Sequence, residues 1–498
     1  MKNLKLNSIT ISFLPILIFL PISYELFKNV HLGGIDLISE LVLGAFSPVI
    51  NINILISIIY KSGETFLIAF TSWTMSMIFG IFFGLLSSEK FYIILNLPIL
   101  FAKVIRLFLI IFRSIHELIW GLILIQIYGI NINVAIISIC IPFIAINAKV
   151  FREEIENIDN KIVDSMIEIS GKSFSSLITL IWIPILNTFY NFGIYRLECA
   201  LRSTTILGIF GLGGIGTSIY LSFKGLNFNE LWTYIWSLGL LIVFSKTILK
   251  NIKFKNFDSK ILLSIFYILG LISLFSIIYF FIFIINPSFN FNINNISNYK
   301  NAFRLFDLLK LIFENIIFCV SATAIAVSVP PFCFLVLNNK FGIFLIRLIS
   351  FFIRLIPPSI TILVLLMFNN PSISLASLAL GIYNAAIISN LLITNINNLE
   401  NDKFIALRSI GASKRLSWLL GLFSKQSKSY LTYCAYRSDI LIRETAIVGV
   451  IGCVGLGWQL QESISSFAWE EVSIILISYS SITIIGEMIN GKIKEKFI

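Results

Sequence analysis

The sequence reads Gly208-Ile-Phe-Gly-Leu-Gly-Gly-Ile-Gly216 in its first half and Gly449-Val-Ile-Gly-Cys-Val-Gly-Leu-Gly457 in its second half. The two glycine clusters repeat at one constant spacing along the chain. Each follows an arginine, Arg202 or Arg443, at the same distance. A long repeat of this kind indicates two structural halves in tandem. The register of the repeat is therefore the first guide to the fold.

Composition indicates whether these halves fold in water or in a membrane. Hydrophobic residues make up 57% of the 498 positions, charged residues make up 13%, and the mean hydropathy is +0.93. Soluble domains are less apolar and carry about twice that share of charge, roughly 25%. We therefore predict an all-α polytopic membrane protein with two transmembrane units, residues 1–255 and residues 256–498.

Apolar runs long enough to cross a bilayer, about 20 residues each, predict about 12 transmembrane helices as two six-helix repeats. In the first half the runs cover about Ile9 to Phe27, Glu64 to Leu86, a long region ending near Tyr128, Asn133 to Val150, and two more ending near Phe244. In the second half they begin near Ile261, Leu311, Phe341, Ser374, Lys428 and Glu471.

Basic residues between the runs predict the orientation. Lysines are concentrated in the linker Lys246–Lys260 and in the tail 492–498, whereas the segments 208–228 and 450–468 carry almost none. Lysine and arginine mark the cytoplasmic side, so both termini are expected inside. Six spans per half then give the two halves the same orientation, which is a parallel repeat. The net charge of +11 follows from this topology and needs no nucleic-acid partner.

Two loops that repeat on the predicted cytoplasmic side, residues 151–180 and 395–426, are charged and amphipathic. Each contains a glycine in mid-course, Gly171 or Gly411. One such loop is usually a solvated connector. Two matched loops predict instead a docking surface for a partner with twofold symmetry.

The chain shows no motif for chemistry of its own. Gly171-Lys172-Ser173 resembles the end of a phosphate-binding loop, but the glycine required five positions earlier is Met166, and no buried strand precedes it. The six cysteines show no C-x-x-C pairing, and the chain has only two histidines. We therefore predict no catalytic residues, no metal site and no cofactor, with any ATP bound by another polypeptide.

The glycine clusters do not fit a dinucleotide-binding motif, which joins a strand to a helix. They predict backbone that turns sharply or packs closely where a membrane helix ends, on the periplasmic side. The residues concerned are Gly208, Gly211, Gly214, Gly216, Gly449, Gly452, Gly455 and Gly457.

Together these stretches resemble the phosphonate-type permeases of ABC importers. The most specific segment runs from Glu154-Ile-Glu-Asn-Ile-Asp159 through Tyr195-Arg-Leu-Glu198 to the first glycine cluster. Phe112-Arg-Ser-Ile-His-Glu-Leu118 is similar to another family segment, with His116 where proline is usual. In the second half Ala406-Leu-Arg-Ser-Ile-Gly-Ala-Ser413 is similar to the cytoplasmic loop of the broader class of binding-protein-dependent permeases.

The resemblance implies a type I ABC importer permease fold in a bacterial inner membrane, with each half as one permease unit. It further implies an ABC ATPase dimer on the cytoplasmic side, a periplasmic substrate-binding protein and surrounding lipid as partners. The loops would act as coupling helices on the ATPase. The residues implied in this coupling are Ser165, Met166, Gly171, Ala406, Leu407, Gly411 and Ala412. Ser165-Met-Ile departs from the family's usual Glu-Ala-Leu, and fusion of two units in one chain is more familiar among iron(III) and thiamine permeases.

Charged residues at the edges of the predicted spans are candidates for an anion path. Glu198 and Arg202 are spaced i, i+4, as are Asp439 and Arg443, so each pair can meet on one helix face. One interpretation is a local ion pair that neutralises two charges at the interface. The other is that the arginines raise the potential along the substrate path, because ionisable residues within membranes are frequently functional. Arg113 and Arg354 also match across the repeat.

Three functional interpretations remain from the sequence. The first is the membrane subunit of an ATP-driven importer for phosphonate, phosphite or a related phosphorus oxyanion. The second is a permease of the same superfamily for another substrate, such as iron(III) or thiamine. The third is a self-contained, ion-coupled transporter with parallel repeats. Ion-coupled carriers need carboxylates in mid-span, and the acids here lie mostly in loops and span ends, which favours an importer subunit.

Overall fold

The computed structural model describes residues 2–170, 174–251, 305–337, 339–397, 402–452 and 454–497, together with the single positions 275 and 278. Throughout these ranges the regular elements are helices, which confirms the all-α prediction. The chain divides into two compact units. We call Leu43–Asn292 the middle unit, and Met1–Val42 with Ile293–Ile498 the end unit.

The middle unit contains the helices of the first half. They are α4 (Ile52–Leu86), α5 (Glu89–Leu95), α6 (Leu100–Ser114), α7 (Glu117–Tyr128), α8 (Ile132–Glu156), α9 (Asn160–Ser170), α10 (Phe174–Ile209), α11 (Ile215–Lys224) and α12 (Phe228–Asn251). Helix α4 packs along α8, and α10 contacts both of them, so these three long helices form the core of the unit.

The end unit begins with α1 (Lys2–Phe13), a 3-10 turn (Leu14–Ile18), α2 (Phe19–Lys28), a second 3-10 turn (Leu32–Gly34) and α3 (Ile35–Gly44), which runs across the unit boundary. Its remaining helices are α13 (Leu305–Val336), α14 (Lys340–Leu355), α15 (Pro358–Leu365), α16 (Ile373–Asn397), α17 (Asp402–Ser409), α18 (Lys414–Ser417), the π-helical turn Trp418–Phe423, α19 (Ser424–Gly452), α20 (Gly455–Ser465) and α21 (Trp469–Phe497). Here α13 packs on α16, and α19 contacts α13, α16 and α21.

The helix boundaries follow the sequence repeat. Helix α8 covers Ile132–Glu156 and α16 covers Ile373–Asn397, so both ends of α16 follow those of α8 at the spacing of the glycine clusters. Helices α12 and α21 begin at Phe228 and Trp469, which again repeat at that spacing. The register measured on the glycine clusters therefore extends over whole helices, which supports two structural repeats.

A sharp bend divides the long apolar region that follows α5 in the first half. Helix α6 meets α7 at 84°, and in the second half α14 meets α15 at 91°. Proline explains the second bend, because Pro357 and Pro358 lack the backbone N–H that a continuous helix needs. In the first half His116 is the N-cap residue of α7 and its ring nitrogen Nδ1 accepts a 3.2 Å hydrogen bond from the Leu118 N–H.

Six helices in the described part of the chain are long and apolar enough to span a membrane, or up to nine if each bent pair counts as one span. They are Ser8–Lys28, Ile52–Leu86, Ile132–Glu156, Phe306–Val336, Ile373–Ile396 and Trp469–Lys492. The protein is thus a multi-pass membrane protein. The predicted count of twelve is not confirmed, and the span predicted near Ile261 lies outside the described residues.

The second span begins earlier than the sequence predicts. We expected it to start near Glu64, after a mixed polar stretch, but α4 already starts at Ile52. The charges do not interrupt the helix because Lys61 and Glu64 neutralise each other one turn apart, with Nζ 2.9 Å from Oε2.

The N-terminal segment, Met1–Val42, groups with the second half of the chain. The Ser8 and Ser427 hydroxyls are 2.7 Å apart, and Asn369 Nδ2 donates to the Leu26 carbonyl at 2.9 Å. Apolar and hydroxyl contacts with helices far along the chain explain this grouping. The predicted boundary at residues 255 and 256 lies outside the described residues, so that division stays a prediction.

Candidate functional site

The predicted pair on α10 forms an ion pair. Arg202 Nη2 lies 2.7 Å from Glu198 Oε1, and Lys246 Nζ on α12 lies 3.2 Å from the other carboxylate oxygen. The side chains of Glu198 and Arg202 are only 8% and 14% exposed. A single buried carboxylate therefore has two basic partners, one on its own helix and one on a neighbouring helix.

The matching positions of the second half make different contacts. Arg443 Nε donates at 3.3 Å to the backbone carbonyl of Asp439. The Asp439 carboxylate accepts a hydrogen bond from Asn490 Nδ2 on α21, which also donates to the Ser438 hydroxyl at 2.7 Å. Arg443 thus contacts the backbone of Asp439, and the Asp439 carboxylate is bonded by an amide of a neighbouring helix where Glu198 has a lysine.

Arg113 and Arg354 occupy the last turns of α6 and α14, directly before the two bends. Arg113 is buried and Arg354 is partly buried. A cation in the last turn of a helix is stabilised by the carbonyl end of the helix dipole. This position explains why both halves have an arginine there. A role of Arg113 and Arg354 in the substrate path stays a prediction.

A second pair of arginines is matched across the repeat and was not among the residues predicted to be functional. Arg196 and Arg437 directly follow Tyr195 and Tyr436 and are equivalent in the register of the repeat. They are 6% and 3% exposed. The signal that could have found them is the repeat register itself, because both are basic residues in mid-helix at equivalent positions.

In the second half, Arg437 belongs to a buried polar network. Its Nε donates at 3.1 Å to Asn384 Oδ1 on α16, and its Nη2 donates to the same oxygen. Asn384 Nδ2 in turn donates at 2.8 Å to Glu444 Oε2, and the other oxygen of Glu444 lies 3.6 Å from Arg437 Nη2. A carboxylate, an amide and a guanidinium therefore balance one another between α16 and α19.

The glycine clusters produce the sharp turns and close contacts that the sequence predicts. Gly211, Gly213 and Gly214 have positive φ between the end of α10 and the start of α11, and Gly455 has φ +62° at the start of α20. At Gly216, a Cβ atom would lie 2.1 Å from the Thr205 carbonyl oxygen, and at Gly457 it would lie 2.7 Å from that of Ala446. In each half, the end of one helix therefore packs closely against the first turn of the next helix.

The second predicted coupling loop consists of helix α17, a turn in which Gly411 has positive φ, and the start of helix α18. Helix α17 ends at Ser409, and Gly411 follows it with φ +83°. The Gly411 and Ala412 N–H groups donate to the carbonyls of Arg408 and Leu407 at 3.1 and 3.0 Å. This is the Schellman arrangement of a helix C-terminus. Ser413 then caps α18 by accepting from the Leu416 N–H at 3.3 Å.

Apolar side chains are exposed around this turn. Ile405 and Ile410 are 58% and 78% exposed. Ala406 is exposed as well, whereas Leu407 and Ala412 are partly buried. In the first loop Ser165 on α9 is exposed, the Met166 side chain is not described, and Gly171 lies outside the described residues.

Ionised side chains fix the base of the first loop. Arg106 on α6 lies 3.0 Å from Glu89 on α5 and 2.5 Å from Glu156 at the end of α8. Lys90 Nζ donates to the carbonyl oxygens of Glu156, the last residue of α8, and of Ile158, two residues beyond it. These contacts hold α5, α6 and α8 together where α9 begins.

Comparison with known proteins gives the following relatives. No family model matches the sequence. The putative phosphite transport system permease protein HtxE of Stutzerimonas stutzeri is 27% identical over 121 residues, 24% of this chain and 46% of that protein. The putative cryptic phosphonate transport system permease protein PhnE2 of Escherichia coli is 24% identical over 121 residues, 24% of this chain and 99% of that protein.

A third relative is matched over a much longer stretch. The phosphate-import permease protein PhnE of Mycolicibacterium smegmatis is 20% identical over 417 residues, 78% of this chain and 76% of that protein. The chain is a relative of phosphonate-type ABC importer permeases. The resemblance inferred from the Glu154 to Gly216 segment is thereby confirmed.

The matches to phosphonate-type permeases differ in extent. The chain spans about half the length of HtxE, whereas the match to the phosphate-import permease is longer than either half of the chain. Among solved structures, a crystal structure of an amino acid ABC transporter with histidines is 20% identical, with a TM-score of 0.29, and the match covers 39% of this chain and 91% of that one.

Proposed function

We propose that this chain is the permease subunit of an ATP-driven importer that takes up phosphite, phosphonate or a related phosphorus oxyanion. The relatives named for phosphite, phosphonate and phosphate transport carry this proposal. Its partners would be an ATPase dimer, which binds and hydrolyses ATP on separate chains, and a periplasmic protein that delivers the anion. The protein would lie in the bacterial inner membrane with both termini in the cytoplasm.

The loop around Gly411 suits a docking role. Its backbone hydrogen bonds are satisfied locally by the Schellman turn, so the loop keeps its shape without a partner. Exposed Ile405 and Ile410 offer apolar surface, and positive charge surrounds it on the exposed residues Arg408, Lys414 and Arg415. An apolar centre with a polar rim is the usual composition of a protein interface. The first loop, 151–180, would act in the same way through Ser165 and its neighbours.

Buried basic residues in both halves suit an anion as the transported species. Positive potential along a route raises the local concentration of an anion and speeds its passage. Each half places arginines inside its helices, and Arg202 and Arg443 directly precede the predicted periplasmic glycine clusters along the chain.

The test of the proposal is uptake. The chain would be expressed with an ATPase and a binding protein encoded beside its gene, in a bacterium lacking its own phosphite and phosphonate importers. We expect ATP-dependent uptake of labelled phosphite or methylphosphonate that requires all three proteins. Uptake of iron(III) or thiamine instead, or uptake driven by an ion gradient without the ATPase, would contradict the proposal.

Gly411→Arg is expected to abolish uptake and to weaken co-purification with the ATPase. A Cβ at Gly411 meets no atom within 4 Å, so the side chain has room, although φ +83° strains any residue other than glycine. The loss of ATPase recovery beyond this strain would arise in the docked interface. Gly129→Arg is the matched control, because Gly129 also has positive φ, +71°, and open space at Cβ. It lies on the predicted outer side. Equal ATPase recovery with the two variants would contradict the docking role.

Arg202→Gln is expected to lower uptake by about tenfold with normal protein yield. Lys246 remains near Glu198, so the carboxylate keeps a basic partner when Arg202 is neutralised. Uptake rate and membrane yield are measured together. The double variant Glu198→Gln with Arg202→Gln is the control: if it restores both yield and uptake, the pair is structural and Arg202 has no role in the path.

A further inference from the structure

The two matched arginines in mid-helix, Arg196 and Arg437, differ in how their charge is balanced. In the second half Arg437 has Asn384 and the carboxylate of Glu444 as partners. In the first half the guanidinium carbon of Arg196 lies 3.7 Å from the centre of the Phe143 ring and 5.9 Å from that of Phe192. Among the described residues no carboxylate forms an ion pair with Arg196.

The difference comes from two positions of the repeat, and Ser203 stands where the second half has the Glu444 carboxylate. Phe143 on α8 and Asn384 on α16 are equivalent in its register, as are Arg196 and Arg437. In the second half the Asn384 oxygen accepts from Nε and from Nη2 of the arginine. In the first half a phenyl ring, which has no acceptor oxygen, takes the place of that amide.

Phe143 therefore provides no acceptor for Nε and Nη2 of Arg196. Both nitrogens are buried, and neither has a hydrogen-bond partner in the part of the chain that the structure describes. They form one edge of the guanidinium plane, the edge that binds two oxygens of a carboxylate or phosphate at once. Phe143 contacts the face of the guanidinium by a cation–π interaction, which leaves this edge free.

Such an arrangement is costly without an anion. The guanidinium group of arginine is a permanent cation in proteins. A buried charge without a partner destabilises a protein strongly, as does removing one member of a buried ion pair. A cation–π contact offsets only part of this cost.

The neighbouring helix keeps Arg196 in place. Trp73 Nε1 on α4 donates at 2.9 Å to the carbonyl of Gly193, one turn before Arg196. A Cβ at Gly193 would lie 3.2 Å from the Met77 methyl carbon, so α10 and α4 are in close contact here. The backbone of α10 near Arg196 is thus packed against α4, and Phe143 of α8 contacts the face of the guanidinium.

We propose that the Nε–Nη2 edge of Arg196 binds the transported anion, one oxyanion per chain, in the first half only. This rests on the proposed function. A phosphite or phosphonate group presents two oxygens to the edge and supplies the missing negative charge. Because the edge is buried, binding belongs to a conformation in which α8 and α10 separate. In the second half Asn384 fills the equivalent edge, so that half is closed to the anion.

The test uses the purified full-length permease in nanodiscs and titrates its melting temperature with phosphite, methylphosphonate, inorganic phosphate and sulfate. Hydrogen bonds to a charged group contribute about 1.5–3 kcal/mol, so Arg196→Gln and Arg196→Lys are expected to weaken the apparent Kd on the order of 10–100-fold. Phe143→Asn is expected to have a similar effect, because it supplies the amide oxygen that closes the edge in the second half.

Phe143→Leu is the matched control, since it removes the ring without adding an acceptor. It is expected to weaken binding less than Phe143→Asn, and Phe143→Asn is expected to have no further effect in an Arg196→Gln background. Equal apparent Kd values for the Asn and Leu variants would overturn the proposal. A wild-type melting temperature unaffected by all four anions would do the same.

Two further outcomes separate this inference from the proposed function. Normal phosphite uptake by Arg196→Gln would remove the anion site at Arg196 and leave the importer function intact. If sulfate binds as tightly as phosphite with the same dependence on Arg196, the oxyanion site is supported and the phosphorus specificity of the proposed function fails.

Discussion

Gly216→Ala is expected to remove most of the correctly folded protein from the membrane. The new methyl group would lie 2.1 Å from the Thr205 carbonyl oxygen and 3.0 Å from the Gly208 Cα atom. Both are backbone atoms, so no side chain can rotate away, and α10 and α11 must separate. Overpacking of this kind costs about 1–3 kcal/mol or more. The measurement is the yield and melting temperature of the detergent-purified protein by fluorescence-detected size exclusion.

Gly63→Ala is the control for this prediction. Gly63 lies inside α4, and a Cβ there meets no atom within 4 Å. Alanine in a helix interior is favoured over glycine by about 0.5–1 kcal/mol, so this variant is expected to be as stable as the wild type or slightly more stable. Similar yields of Gly216→Ala and Gly63→Ala would show that α10 and α11 do not depend on the close glycine contact.

Glu444→Ala is expected to destabilise the second half strongly, because it leaves the Arg437 guanidinium buried without its carboxylate. Removing one partner of a buried charge pair costs about 3–5 kcal/mol. We use the lower end of this range, because Asn384 still accepts from the guanidinium. A loss of about 3 kcal/mol corresponds to a fall in melting temperature on the order of 5–10 °C. Thermal unfolding in detergent measures it.

Two variants check the cause of that effect. Glu462→Ala removes an exposed carboxylate from α20, and changes at such surface positions usually stay within about 0.5 kcal/mol. The triple variant Arg437→Leu, Asn384→Leu and Glu444→Leu removes the whole buried network and is expected to recover much of the lost stability. If Glu444→Ala melts like Glu462→Ala, the network does not stabilise the fold.

Several features of the fold were predictable from the sequence because they depend on neighbours along the chain. The positive φ values of the glycine clusters, and the Schellman turn at Gly411, follow from local backbone sterics. The contact between Glu198 and Arg202 follows from helical spacing. The start of α4 at Ile52, before the predicted start near Glu64, is compatible with the charges because Lys61 and Glu64 pair with each other.

Other features depend on which helices meet. The sequence shows Arg196 and Arg437 as equivalent residues, and only the contacts with α8 and α16 reveal a phenyl ring beside one and an amide beside the other. The grouping of Met1–Val42 with the second half likewise depends on contacts with residues far along the chain, such as Asn369.

The repeat register, the apolar runs and the local turns are thus properties of the chain as written, because they follow from side-chain type and spacing over one or two helical turns. The balance of buried charge was decided by tertiary structure. Whether a buried guanidinium is neutralised, stacked on a ring or left with an edge that has no acceptor depends on the residue that a neighbouring helix places against it. Because the helices of the two halves align at one constant spacing, two differences, Phe143 for Asn384 and Ser203 for Glu444, are enough to give two similar halves different electrostatics.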